Sequence, residues 1–206
     1  MKKSLIALAF GTLALGIAEF VMMGILPDIA SDLHVSIAEA GHLISAYALG
    51  VCVGAPMLIL ARKHPLKRIL LVLVAVIMAG NVCAALAPNF WTLMAARFVS
   101  GLPHGAYFGV GSIAAEKLAD KGKDSEAVSI MIAGMTIANL LGVPLGTALS
   151  SMLSWRVTFL LVGCWGMIVL YYIWRWIPPV ENLPDTGFRG QFRFLRSLAP
   201  WLVLLS

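Results

Sequence analysis

Six times along the chain a long apolar run gives way to a short polar one. Crossing a bilayer as a helix takes about 20 apolar residues, and six stretches reach that length: 5–26, 42–61, 69–87, 90–115, 127–149 and 157–177. The pattern therefore predicts an all-α membrane protein whose first 178 residues form a six-helix transmembrane bundle. A polar segment, 179–197, opens with Pro178-Pro179 and marks a domain boundary on what reads as the cytoplasmic side. Within it Phe188, Phe192 and Leu195 recur at helical spacing beside Arg189, Arg193 and Arg196. That spacing suits a short amphipathic helix on the membrane surface, with an irregular basic linker as the alternative. Residues 198–206 turn apolar again, as the start of a truncated seventh helix.

Composition agrees with the pattern. With 60% hydrophobic and 12% charged residues and a mean hydropathy of +0.91, the chain has too few polar side chains to cover a water-soluble domain of 206 residues. The net charge of +5 does not point to nucleic acid, because the basic residues fall in patches between apolar runs and form no single soluble face. Those patches set orientation. Lys2, Lys3, Arg62, Lys63, Lys67, Arg68, Lys117, Lys121, Lys123, Arg175, Arg189, Arg193 and Arg196 share one side, against Arg156 on the other. The N-terminus is thus expected in the cytoplasm, with the chain multi-pass in a membrane. A signal peptide over 1–18 is set aside, since the apolar run continues past Glu19 to Leu26. Cys52, Cys83 and Cys164 have no ligand or disulfide spacing and read as packed, inert thiols.

An ionisable group inside a span is costly and marks a cavity or a partner. Glu19 lies seven residues before the end of the first apolar run and Arg97 seven residues after the start of the fourth. At 1.5 Å per residue both are about 10 Å deep from the same side, so they can face each other. The expectation is a shared cavity in which burial and the arginine pull on Glu19 in opposite directions, making it a proton carrier; a static ion pair is the alternative. Arg97, Gly101, His104 and Phe108 share one helix face by their spacing. His104 is a second candidate for protons or substrate, or else a packing residue. Tyr47, Asn81, Tyr107, Phe108 and Asn139 are candidate substrate-cavity contacts, with hydrogen-bonded packing the alternative, and His42 reads as an interface residue. No metal site and no cofactor is expected. A membrane serine protease would need a nucleophile turn near Ser100, His104 or Ser112, and a metalloprotease His-Glu-x-x-His; neither pattern is present.

Small residues recur at every fourth position: Ala46, Gly50 and Gly54; Gly101, Gly105 and Gly109; Gly134, Ala138, Gly142 and Gly146. Such stripes let helix backbones approach closely. Pro144 removes a backbone donor between two of the glycines, so a bend or gate is expected there.

Several of these residues also carry a likeness. Ala18-Glu19-Phe20 with Gly24-Ile25-Leu26-Pro27, the run from Ala40 to Val51, Gly54-Ala55-Pro56, the run from Arg97 to Ala106, the run from Gly134 to Gly142, and Ser154-Trp155-Arg156 with Phe159 resemble bacterial drug:proton antiporters of the major facilitator superfamily, its sugar-efflux-type members above all. The likeness covers essentially the whole chain. It implies the N-terminal half of a twelve-helix transporter, a six-helix bundle of 3+3 inverted repeats, with substrate held between two bundles that rock. Its partners would be protons, a sugar or small amphipathic compound, the lipid membrane, and the missing six-helix half or a second copy; a non-transporting scaffold is the alternative. In the resemblance, helices one and four line the cavity, and the arginine at Arg97, with Gly101, belongs to a motif tied to proton coupling. Helices two and five, with their glycine stripes, would face the other bundle. Ser100 and Pro103-His104 depart from that motif. Gly142, Pro144 and Gly146 resemble the helix-five antiporter motif, but Val143 splits its usual Gly-Pro pair, which weakens antiport against another coupling mode. Between helices two and three, Arg62 and Pro65 stand where the superfamily carries aspartate and glycine, while Lys67 and Arg68 keep the basic cluster.

Overall fold

The computed structural model describes residues 2–61 and 63–180. Arg62, nearly all of the 179–197 linker with its amphipathic stretch, and the start of a seventh helix lie outside the described residues. The helices are α1 (Lys2–Asp32), α2 (Ile37–Ala61), α3 (Leu66–Ala85), α4 (Phe90–Lys117), α5 (Asp124–Ile137), α6 (Val143–Met152) and α7 (Trp155–Trp176). A π-helical turn, Ala138–Gly142, joins α5 to α6 without a break, so the described residues form six rods. Most rods outrun their apolar stretches, because a helix need not end where the hydrocarbon does. α1 runs on to Asp32, so Glu19 lies deeper along its helix than the apolar run implied.

Five of the rods are long and apolar enough to cross a membrane. The sixth, α4, has the length, but Arg97, Pro103, His104, Glu116 and Lys117 dilute its hydropathy. It can carry them because it is the central rod, packed against α1, α2, α3 and α5. The pairings repeat under exchange of the first three rods with the last three: α2 lies along α4 as the α5–α6 rod lies along α1, and α3 packs on α4 as α7 packs on α1. The contact map thus carries the inverted repeat.

Local chemistry fixes one end of the bundle. Ser36 and Glu39 cap α2 reciprocally, Glu39 N–H donating to Ser36 Oγ (3.1 Å) and Ser36 N–H to Glu39 Oε2 (2.8 Å). Asn89 and Thr92 do the same for α4, and Ser154 Oγ accepts from Arg156 N–H at the start of α7. These caps satisfy backbone donors that a helix start leaves open. At the opposite end α3 and α5 begin with no side-chain cap.

Two apolar cores stack along the bundle. One gathers Leu8, Leu15, Leu70, Val74, Tyr107, Val110 and Met131; the other gathers Val21, Met22, Ile25, Leu43, Leu93 and Phe159. Between them runs a polar belt, with Glu19 on α1, Tyr47 on α2, and Arg97, Ser100 and His104 on α4.

Apart from the exposed Gly109, the glycine stripes face inward. A Cβ on Gly50 or Gly54 would fall on the carbonyls of Phe98 or Leu102, and one on Gly101 on the Tyr47 carbonyl. Gly105 faces Ala55, while Gly134 and Gly142 sit on α1 against Ala9 and Ile17, and Gly146 faces Val21. The expected use of the α2 and α5 stripes against another bundle is therefore corrected: close helix packing inside this bundle consumes them. The cysteines are corrected too, since Cys52 and Cys83 are exposed and Cys164 is only partly covered. They sit on outward helix faces, where lipid or protein takes the place of water.

Candidate functional site

The polar belt is built from three helices. Arg97 is 1% exposed. Its Nη1 donates to the Ala18 carbonyl at 2.8 Å, and its guanidinium lies 4.4 Å from the Tyr47 ring centre and 5.4 Å from that of Phe159. A buried cation is expensive unless compensated, and here a carbonyl dipole and two aromatic faces supply the compensation. Gly101 makes the arrangement possible, because only a residue without Cβ lets the Tyr47 backbone come close enough for its ring to reach Arg97.

Glu19 and Arg97 feel each other's charge, but among the described residues no ion pair joins them. The Glu19 carboxylate turns to His104 instead, with Oε2 3.6 Å from Nε2. His104 Nδ1 is hydrogen-bonded to the Tyr47 hydroxyl at 2.9 Å, and Phe108 stacks on the imidazole with ring centres 5.3 Å apart. The result is a chain of contacts, Glu19–His104–Tyr47–Arg97, across α1, α4 and α2. Glu19 is its open end, with 32% of its side chain exposed against 12% for His104. Glu19 Oε2, Arg97 Nε and Asn81 Oδ1 are buried atoms that make no hydrogen bond among the described residues.

The remaining sequence candidates are placed elsewhere. Asn81 is buried on α3 and its Nδ2 donates to its own helix at Ile77 (2.8 Å). Tyr107 donates to the Leu8 carbonyl at 3.1 Å and fills the space above Gly11, a packing contact between α4 and α1. Asn139 is exposed on the π-helical turn, Pro144 is exposed just after it, and His42 is exposed at the start of α2. Pro144 can neither donate to residue 140 nor fit its ring against that carbonyl. The wider π turn absorbs both defects.

A second cluster escaped the sequence reading. Asp32, at the end of α1, accepts from Arg156 Nη1 and from Trp155 Nε1, the latter at 3.1 Å. Arg156 Nη2 also reaches the Ala87 carbonyl (3.2 Å), and Asp28 accepts from Ser150 Oγ. Together these bonds tie α1, the turn after α3, α6 and α7 at the capped end.

A Major Facilitator Superfamily model matches residues 8–206, and the chain belongs to that superfamily. AraJ of Escherichia coli (strain K12) is 48% identical over 100% of this chain and 52% of its own length. The chloramphenicol resistance protein of Streptomyces lividans is 35% identical over 86% of this chain and 46% of its own. Among solved structures, an inward-facing, unoccupied bacterial homologue of the human lysosomal transporter Spinster superposes with a TM-score of 0.73 at 20% identity, covering 98% of this chain and 50% of that one. The likeness to that structure concerns the fold alone. The chain spans about half the length of the curated relatives it matches.

Proposed function

We propose that this bundle is one half of a proton-coupled efflux transporter of the bacterial inner membrane, with its N-terminus in the cytoplasm and a small amphipathic compound or sugar as cargo. The observation that carries the reading is the Glu19–His104–Tyr47–Arg97 chain, a graded set of titratable groups inside a membrane bundle with its carboxylate at the open end. Arg97 stays charged and fixed, held by Ala18 and by two rings. Glu19 is the group that changes. Ionised, it balances Arg97 across the belt and stays within ion-pair reach of His104 Nε2, while the Tyr47 hydroxyl holds the other ring nitrogen. Protonated, it releases His104 and leaves Arg97 unbalanced, so the belt favours a different packing against the partner bundle. A cargo molecule competing for the exposed side of Glu19 then couples its exit to proton entry. The partner is a second six-helix bundle, joined or separately supplied, meeting outward apolar residues such as Leu49 and Val53 of α2 and Leu141 and Leu145 beside the π turn.

Proton-gradient-driven efflux from vesicles tests the reading, with the bundle joined to a compatible second half and chloramphenicol and a sugar panel as cargo. Glu19→Gln, which keeps the shape and removes the titration, is expected to cut gradient-driven efflux at least tenfold while cargo still binds. Full proton-coupled efflux by Glu19→Gln would overturn the proton role. If the joined form moves nothing from the panel, the half-bundle acts as a scaffold.

A further inference from the structure

At the uncapped end of the bundle, α2, α3 and α4 enclose a lateral groove of about 420 Å3 that plays no part in the transport reading. Its walls are apolar, formed by Met57, Ile69, Val72, Val76, Leu102 and Ala106. Val72 and Met57, 56% and 49% exposed, put its opening on the outer flank of the bundle, away from the Glu19 belt. His64 and Arg68 complete the lining, and both are exposed. Neither side chain pairs with another described residue, whereas neighbouring Lys67 donates to the Trp174 carbonyl at 2.7 Å.

The charge at this mouth is unbalanced. α3 starts at Pro65 without a side-chain cap and has no acid in its first turn, yet carries Lys67 and Arg68 there. Positive side chains at the positive end of a helix repel it, so an anion is the missing complement. The groove below is lined by apolar side chains, and its volume lies within the range of about 300–1,000 Å3 usual for ligand sites. A ligand satisfying both parts has an anionic head and an apolar tail. We propose that this groove binds an anionic phospholipid of the cytoplasmic leaflet, its phosphate on Arg68 and His64 and one acyl chain along Val72, Val76 and Leu102. Basic pockets between helices on the cytoplasmic side recognise lipid headgroups in this way.

The test is native mass spectrometry of the purified chain after equilibration with vesicles of equal phosphatidylglycerol and phosphatidylethanolamine. Phosphatidylglycerol is expected to be retained about fivefold over phosphatidylethanolamine for each full positive charge it meets. Arg68→Gln combined with His64→Gln should bring the ratio to one without changing thermal unfolding in lipid-free detergent, and Arg68→Lys should preserve the preference. Val76→Trp, which fills the groove, should reduce retention of both lipids. Equal retention by the unaltered chain, or a preference indifferent to the paired glutamines, would overturn the proposal. So would inorganic phosphate alone raising the unfolding temperature as much as phosphatidylglycerol does, since the tail would then contribute nothing.

Discussion

Tyr47 shows how much one side chain settles in the belt, because it serves two neighbours at once. Its ring lies under Arg97 at 4.4 Å and its hydroxyl orients His104 at 2.9 Å. The two roles separate by substitution. Tyr47→Phe keeps the ring and loses the hydroxyl, leaving His104 Nδ1 unpaired in a largely buried site; loss of one such bond costs about 1–3 kcal/mol. The expected outcome is a lower unfolding temperature in detergent and slower coupled efflux, with Arg97 still in place. Tyr47→Leu removes the π face as well and should lower the unfolding temperature further. If Tyr47→Phe behaves as the unaltered protein in both measurements, the hydroxyl has no positioning role. Helical spacing was enough to put Arg97, Gly101, His104 and Phe108 on one face. It could not pair Tyr47 with His104, 57 residues away, or Asp32 with Arg156, 124 residues away. Those contacts depend on how far one helix slides along another, which composition and periodicity within a helix do not encode. For the same reason Tyr107, three residues beyond His104, turns to α1 and the Leu8 carbonyl instead of the belt.

Between elements, the glycine stripes were legible as close-contact faces, but their partners were not, since a small-xxx-small stripe is equally able to meet a helix of its own bundle or of another. The structure assigns α2 to α4 and the α5–α6 rod to α1. The contact is close enough for stability to depend on single hydrogens. A side chain at Gly54 would meet the Leu102 backbone, which cannot rotate away. Gly54→Leu is expected to destabilise the bundle by more than the 1–3 kcal/mol usual for overpacking, whereas Val53→Leu, one position along on the exposed face, should stay within about 0.5 kcal/mol. Unfolding of both variants in the same detergent checks this, and equal losses would mean that α2 does not pack on α4 through this face. Pro144 was legible as a defect, while the form of its accommodation, a π turn running into α6, follows from α1 holding both flanks of the rod through Gly134, Gly142 and Gly146.

Over the whole molecule, the two ends differ in chemistry, and that difference is the ground for the orientation proposed above. The capped end carries Arg156 as its lone cation among the described residues, and Asp32 pairs with it, so that end presents little net positive charge. The opposite end carries Lys63, Lys67, Arg68, Lys117, Lys121, Lys123 and Arg175. In the proposed orientation the basic end lies in the cytoplasm, as asymmetry of this kind favours, and the lipid groove then falls in the inner leaflet. With Cys52, Cys83 and Cys164 replaced by alanine, a cysteine at Ser36, in the turn between α1 and α2, should react with an impermeant maleimide added to intact cells. A cysteine at Gly122, in the turn between α4 and α5, should react only after the membrane is opened. The reverse pattern would invert the bundle. It would leave the Glu19–His104 contact as it is, but exchange the sides of the membrane that the two ends of the bundle face, and with them the direction in which protons could drive cargo.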